Sequence, residues 1–164
     1  MKQQIAIKKP TDILPLLSKW KKRREENFLT VTLNGAHEVI KVHHITKSLL
    51  NKTIIHPREC FYPTVRDYAS AVILVHNHPC GRAISNADDD NVTHRLCMAG
   101  LILGITVLDH IIITPRDDIY SYRQAKKITD DFSSRKQIRF IKKLTAEEKG
   151  TGEIMKEKKY ELYK

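Results

Sequence analysis

The chain has 164 residues, of which 41% are hydrophobic and 29% charged, values ordinary for one globular domain with extensions and too short for two large ones. No apolar run approaches the roughly 18 residues that span a bilayer, and Met1–Pro10 has no apolar signal core, so a cytoplasmic protein with no membrane partner is expected. The net charge of +10 lies at the ends: residues 1–24 hold 8 basic and 1 acidic residue, residues 25–125 hold 9 and 11, and residues 126–164 hold 12 and 7.

In chain order, Thr11 is expected to cap a helix beginning at Asp12. Ile13, Leu14, Leu16, Leu17 and Trp20 fall at helical spacing there, ahead of the basic cluster Lys19 and Lys21–Arg24. Phe28–Leu33 and Glu38–Ile45 alternate about Asn34-Gly35, which predicts a β-hairpin over 28–45. A short strand at Thr53–Ile55 precedes Pro57, the first-turn proline of a helix running to about Tyr68. Ala69–Val75 is small and β-branched without polar alternation, as in a strand buried on both faces. It ends at His76-Asn77-His78-Pro79. Ser85 or Asn86 can cap the next helix, with Asp88, Asp89 and Asp90 in its first turn, an apolar face of Val92, Leu96, Cys97 and Leu101, and a stop at Gly104. Ile105–Thr114 and Ile119–Tyr122 read as strands, and Gln124 to about Leu144 as a basic helix before a tail.

Three parts follow: a basic N-terminal helix (1–24), a domain (25–125) and a basic helical or mobile tail (126–164). The element order predicts an α/β fold, a mixed sheet flanked by helices. Cys60, Cys80 and Cys97 are odd in number with no CxxC pair, which suits a reducing compartment. The basic ends suit nucleic acid or an acidic partner, and solvated helix faces would give the same counts.

Two histidines at i and i+2 on a strand end point to one face, so His76 and His78 can present two imidazoles to one ion. Asp89, one loop away in the first turn of a helix, can supply a carboxylate. Two histidines and a carboxylate suit Zn²⁺ with a fourth position left for water. Such an ion would acidify that water and polarise an attacked carbonyl. Loop histidines without a metal are the competing reading.

The segments His56-Pro57-Arg58-Glu59, Ala71–Gly81, Leu108–Ile113 and Tyr120–Arg123 resemble, in order and spacing, the RadC-like proteins of the JAB/MPN family, which carry the JAMM signature His-x-His-Pro then Ser-x-x-Asp. The resemblance covers roughly residues 25–125. It implies the JAB/MPN, cytidine-deaminase-like fold, one zinc per chain held by His76, His78 and Asp89, and a metallohydrolase of peptide or isopeptide bonds in a family associated with DNA repair. Asn86 stands where the signature has its oxyanion-binding serine, with Ser85 one place early. An amide can donate to an oxyanion as a hydroxyl does, and it can equally cap the helix. The resemblance also implies a catalytic glutamate on the second hairpin strand. His43 occupies that position, with no acid beside it, and Glu38 lies on the opposite face. His43 can therefore be a proton shuttle, a fourth ligand or an ordinary surface residue. The hydrolase reading implies a peptide or protein substrate; the alternative is a catalytically impaired RadC-like module that binds or scaffolds, with nucleic acid as a partner reached through the basic termini. Residues 1–24 are expected to be too few to hold the helical N-terminal region that full-length RadC proteins carry.

Overall fold

The computed structural model describes residues 5–48 and 55–128. Its core is a five-stranded mixed sheet made of β1 (Glu26–Leu33), β2 (Val39–Ser48), β3 (Ala71–Asn77), β4 (Thr106–Ile113) and β5 (Ile119–Ser121), in the order β2-β1-β3-β4-β5. Neighbours run antiparallel except β3 and β4. A parallel pair needs a crossover, and α3 (Ala87–Leu103) is that crossover. Every residue of β3 and every residue of β1 after Glu26 is buried, because both faces are covered. The predicted α/β class and the unbroken apolar strand are as observed.

Strand alternation sorts the two faces. Leu29, Val31, Leu33, Ile73, Val75, Ile111 and Ile113 form one, and Ile13 and Leu17 pack on it from the N-terminal segment. Phe28, Thr30, Leu74, His76, His110 and Ile112 lie on the other, which α2 (Pro57–Arg66) and α3 cover. No helix among the described residues is long and apolar enough to cross a membrane.

Local structure departs from the sequence reading where prolines and side-chain hydrogen bonds intervene. The first helix is a 3₁₀ segment, Pro10–Leu17, followed by one α-turn, α1 (Ser18–Lys21). Thr11 does not cap it: Pro10 takes the first helical position, and the Asp12 carboxylate accepts from the amides of Lys8 and Lys9, both at 2.9 Å. Pro15 removes an interior donor and disfavours a continuous α-helix. Asn34-Gly35 belongs to a longer loop, because the Asn34 side chain accepts from the amides of Ala36 and Glu38 at 2.9 and 3.0 Å. The second helix stops at Arg66, short of Tyr68. Residues 53 and 54 of the expected short strand lie outside the described residues, and Ile55 is in no strand.

The buried stripe of α3 is Thr93, Leu96, Cys97 and Gly100, a rotation from the expected Val92 and Leu101. Gly100 explains it: a Cβ there would meet the Ile105 carbonyl at 2.6 Å, so the helix turns its bare backbone onto the chain that follows. Gly104, in the left-handed region at φ 69°, closes the helix as expected. After β5 the chain makes turns through Lys126 rather than the helix expected from Gln124. There the Gln124 amide donates to the Ser121 hydroxyl at 3.1 Å. Residues 129–164 of the expected basic tail lie outside the described residues.

Candidate metal centre

β3 carries His76 to the open end of the sheet, His78 follows it directly, and α3 starts just beyond with Asp89 in its first turn. Their ligating atoms all lie within 4.8 Å of one another. The two Nε2 atoms are 2.9 Å apart, and the Asp89 carboxylate oxygens lie 3.3 Å from His76 Nε2 and 3.5 Å from His78 Nε2. Both histidines are buried.

Asp89 is aimed by the helix end. Asn86 is the N-cap, its side-chain oxygen accepting from the Asp89 amide at 2.9 Å, while an Asp89 oxygen accepts from the Asn86 amide at 3.0 Å. Burial works to raise the Asp89 carboxyl, but the His76 and His78 rings beside it prevail and hold it far below the usual carboxylate range. Burial likewise opposes charge on His78, yet the neighbouring Asp89 carboxylate raises its pKa overall. The pocket therefore favours positive charge beside this carboxylate.

The surroundings show which form that charge takes. His78 Nδ1 lies 3.0 Å from the Arg82 carbonyl. A carbonyl only accepts, so Nδ1 carries the hydrogen and a neutral His78 presents a bare Nε2. His76 Nδ1 lies 2.8 Å from Nε2 of His110, a fully buried ring whose burial pushes its pKa well below the ordinary value. Two imidazole nitrogens and a carboxylate converging on one point fit a cation, and this mixed nitrogen and oxygen set fits zinc.

The remaining residues singled out by sequence divide clearly. Asn86 is at the centre, with its side-chain oxygen committed to the cap. Ser85 accepts from Lys127 Nζ at 2.9 Å, and the same ammonium holds both Asp90 oxygens, at 2.9 and 2.7 Å. His43 is not brought to the cluster: its Nε2 lies 2.5 Å from Asp67 Oδ2, which also accepts from the Thr32 hydroxyl at 2.8 Å. The group that could hold a metal ion comprises His76, His78 and Asp89, without His43 as a fourth member among the described residues. Glu38 accepts from Asn34 at the hairpin loop. Asp109 is structural, accepting from the Ser121 hydroxyl at 2.5 Å and the Arg123 amide at 2.9 Å.

Glu26 was missed. It starts β1, two residues before Phe28, and Phe28 pairs with His76. Alternation puts Glu26 on the His76 face beside His78, close enough that its charge raises the His78 pKa. Its side chain is exposed and makes no hydrogen bond or ion pair among the described residues. The spacing of Glu26 to Phe28 was visible in the sequence, but the pairing of that strand with the histidine strand was not.

Residues 7–128 match the family model of the RadC-like JAB domain. Among similar proteins, a UPF0758 protein of Methanospirillum hungatei is 44% identical over 115 residues, 69% of this chain and 51% of that protein. One from Geotalea uraniireducens is 50% identical over 90 residues, 55% of this chain and 40% of its own. One from Staphylococcus haemolyticus is 42% identical over 112 residues, 68% of this chain and 49% of its own. The chain thus spans about half or less of the length of these relatives, whose names carry no activity.

Proposed function

The chain belongs to the RadC-like JAB domain family, and from that premise we propose that it is a zinc-dependent hydrolase of the JAMM type acting on peptide or isopeptide bonds. The observation that carries the reading is the convergence of His76 Nε2, His78 Nε2 and the Asp89 carboxylate. Zinc held there would supply a Lewis acid that acidifies water and polarises the amide carbonyl.

The chain's own residues do the rest. Glu26 takes one proton from the attacking water and passes it to the departing nitrogen as the carbon–oxygen bond forms and the carbon–nitrogen bond breaks. It takes the proton role that sequence reasoning gave to His43, because Asp67 holds the His43 ring. Asn86 supplies the oxyanion donor from its amide NH₂, in preference to Ser85, which is held by Lys127.

The test is zinc content together with turnover. Purified protein is expected to hold one zinc per chain by elemental analysis and to cleave members of a panel of peptide and isopeptide substrates. Glu26→Gln should keep the zinc and lose about 10²–10⁴-fold in turnover, while His76→Ala should lose both. Protein that neither contains a divalent ion nor gains stability from added zinc overturns the metal reading. Unchanged turnover in Glu26→Gln overturns the proton role. Zinc bound without hydrolysis of any substrate would select a binding module without turnover instead.

A further inference from the structure

His110 and Thr93 hold no ion and meet no substrate in the reading above, yet they join two of the three proposed ligands. We infer that they are positioning residues that determine which nitrogen of His76 is bare. Thr93 Oγ1 lies 2.6 Å from the backbone carbonyl of Asp89 and 2.5 Å from Nδ1 of His110. The carbonyl cannot donate, so the one hydroxyl proton of Thr93 lies on that contact. His110 must then donate from Nδ1. Its ring is 0% exposed, and a charge there would be costly, so the ring is neutral and its Nε2 accepts. His76 Nδ1, at 2.8 Å, is the donor, and His76 Nε2 is left bare toward Asp89 and His78.

The relay starts on the His76 ring and ends on the backbone of Asp89, so a single hydroxyl proton fixes the chemistry of one ligand by reference to another. The His110 ring cannot turn freely. Phe28 lies against it at 5.4 Å between centroids and 59°, and Tyr122 stacks on it at 4.9 Å and 14°. The Tyr122 hydroxyl is itself anchored on Asp90 at 2.9 Å. His78 needs no such relay, because the Arg82 carbonyl fixes its tautomer directly. Without Thr93, His76 would share its hydrogen between both nitrogens, and the form with hydrogen on Nε2 competes with an ion.

The effect on an ion rests on the metal reading, but the tautomer does not. Long-range proton–nitrogen spectra of the metal-free full chain at neutral pH are expected to show His76 and His110 both with hydrogen on Nδ1. Thr93→Val, nearly the same shape without the hydroxyl, should mix the His76 tautomers and weaken zinc about 10–100-fold in a chelator competition. Thr93→Ser should restore both, an outcome a purely packing role would not give. Hydrogen found on Nε2 of His76 in the unaltered protein, or a Thr93→Val protein with wild-type tautomers and zinc affinity, overturns the inference. The expected tautomers in a protein that takes up no zinc would support the relay and overturn the metal reading alone.

Discussion

Cys60 and Cys97 are buried against the sheet, where burial pushes both thiols up to about 12, while Cys80 is exposed just beyond His78. The Cys80 thiol is drawn down, first by a hydrogen bond with the Arg82 backbone. Thiolate is the reactive form, so native protein treated briefly with iodoacetamide should gain one adduct per chain by mass spectrometry. Cys80→Ser should gain none, and unfolded protein should gain three. Rapid labelling of Cys60 or Cys97 in the native state would contradict their placement. Legibility at this scale follows sequence distance. His76 and His78 could be read because two positions on one strand share a face. Thr93 and Glu26 could not, because their relation to those histidines depends on how a helix and a neighbouring strand dock.

Elements obey their local signals until backbone meets backbone. The α3 cap at Asn86 and the stop at Gly104 were readable because capping and left-handed closure are contained within a few residues. The 3₁₀ start was misread because apolar spacing speaks of burial and says nothing of the donors that Pro10 and Pro15 lack. The rotated face of α3 was hidden for a further reason: Gly100 counts as neutral in a hydrophobic pattern and is here the point of closest contact. Helix propensity favours Gly100→Ala by about 1 kcal/mol. The new Cβ, however, would lie 2.6 Å from the Ile105 carbonyl and 3.1 Å from Phe61 and Val107, and overpacking of this kind costs about 1–3 kcal/mol. Urea denaturation is expected to show a net loss of stability for Gly100→Ala. Gly35→Ala, where a Cβ meets nothing within 4 Å, should stay within about 0.5 kcal/mol of the parent. Equal midpoints for the two variants would mean that α3 does not sit against the following strand as described.

At the scale of the whole molecule, charge and fold are separable. The mixed sheet was legible because each strand and helix carries its own periodicity, whereas the excess charge is a property of the ends. Two cations of the ends are already neutralised within the domain, since Lys21 is ion-paired with Asp117 and Lys127 with Asp90. We propose that the remaining cations of the ends meet nucleic acid phosphates. The expected outcome is duplex binding with little sequence preference that weakens steeply with salt through counterion release. It should weaken again when residues 129–164 are removed, with zinc content unchanged. Titration of labelled duplex at two salt concentrations with both proteins checks this, and salt-insensitive binding that is equal for the two would leave the charges as solvated faces.

The pairing of β1 on both sides orders events in time. Its contacts with β2 close a short hairpin, whereas its contacts with β3 join positions as far apart as Asn27 and Asn77, which are 50 residues apart. Long loops close late. His76 and His78 therefore reach their places only when β3 docks, and Asp89 only after α3 has crossed over to set β4 beside it. An ion that needs all three ligands in place binds the finished site, so it is expected to act mainly by slowing escape from the native state.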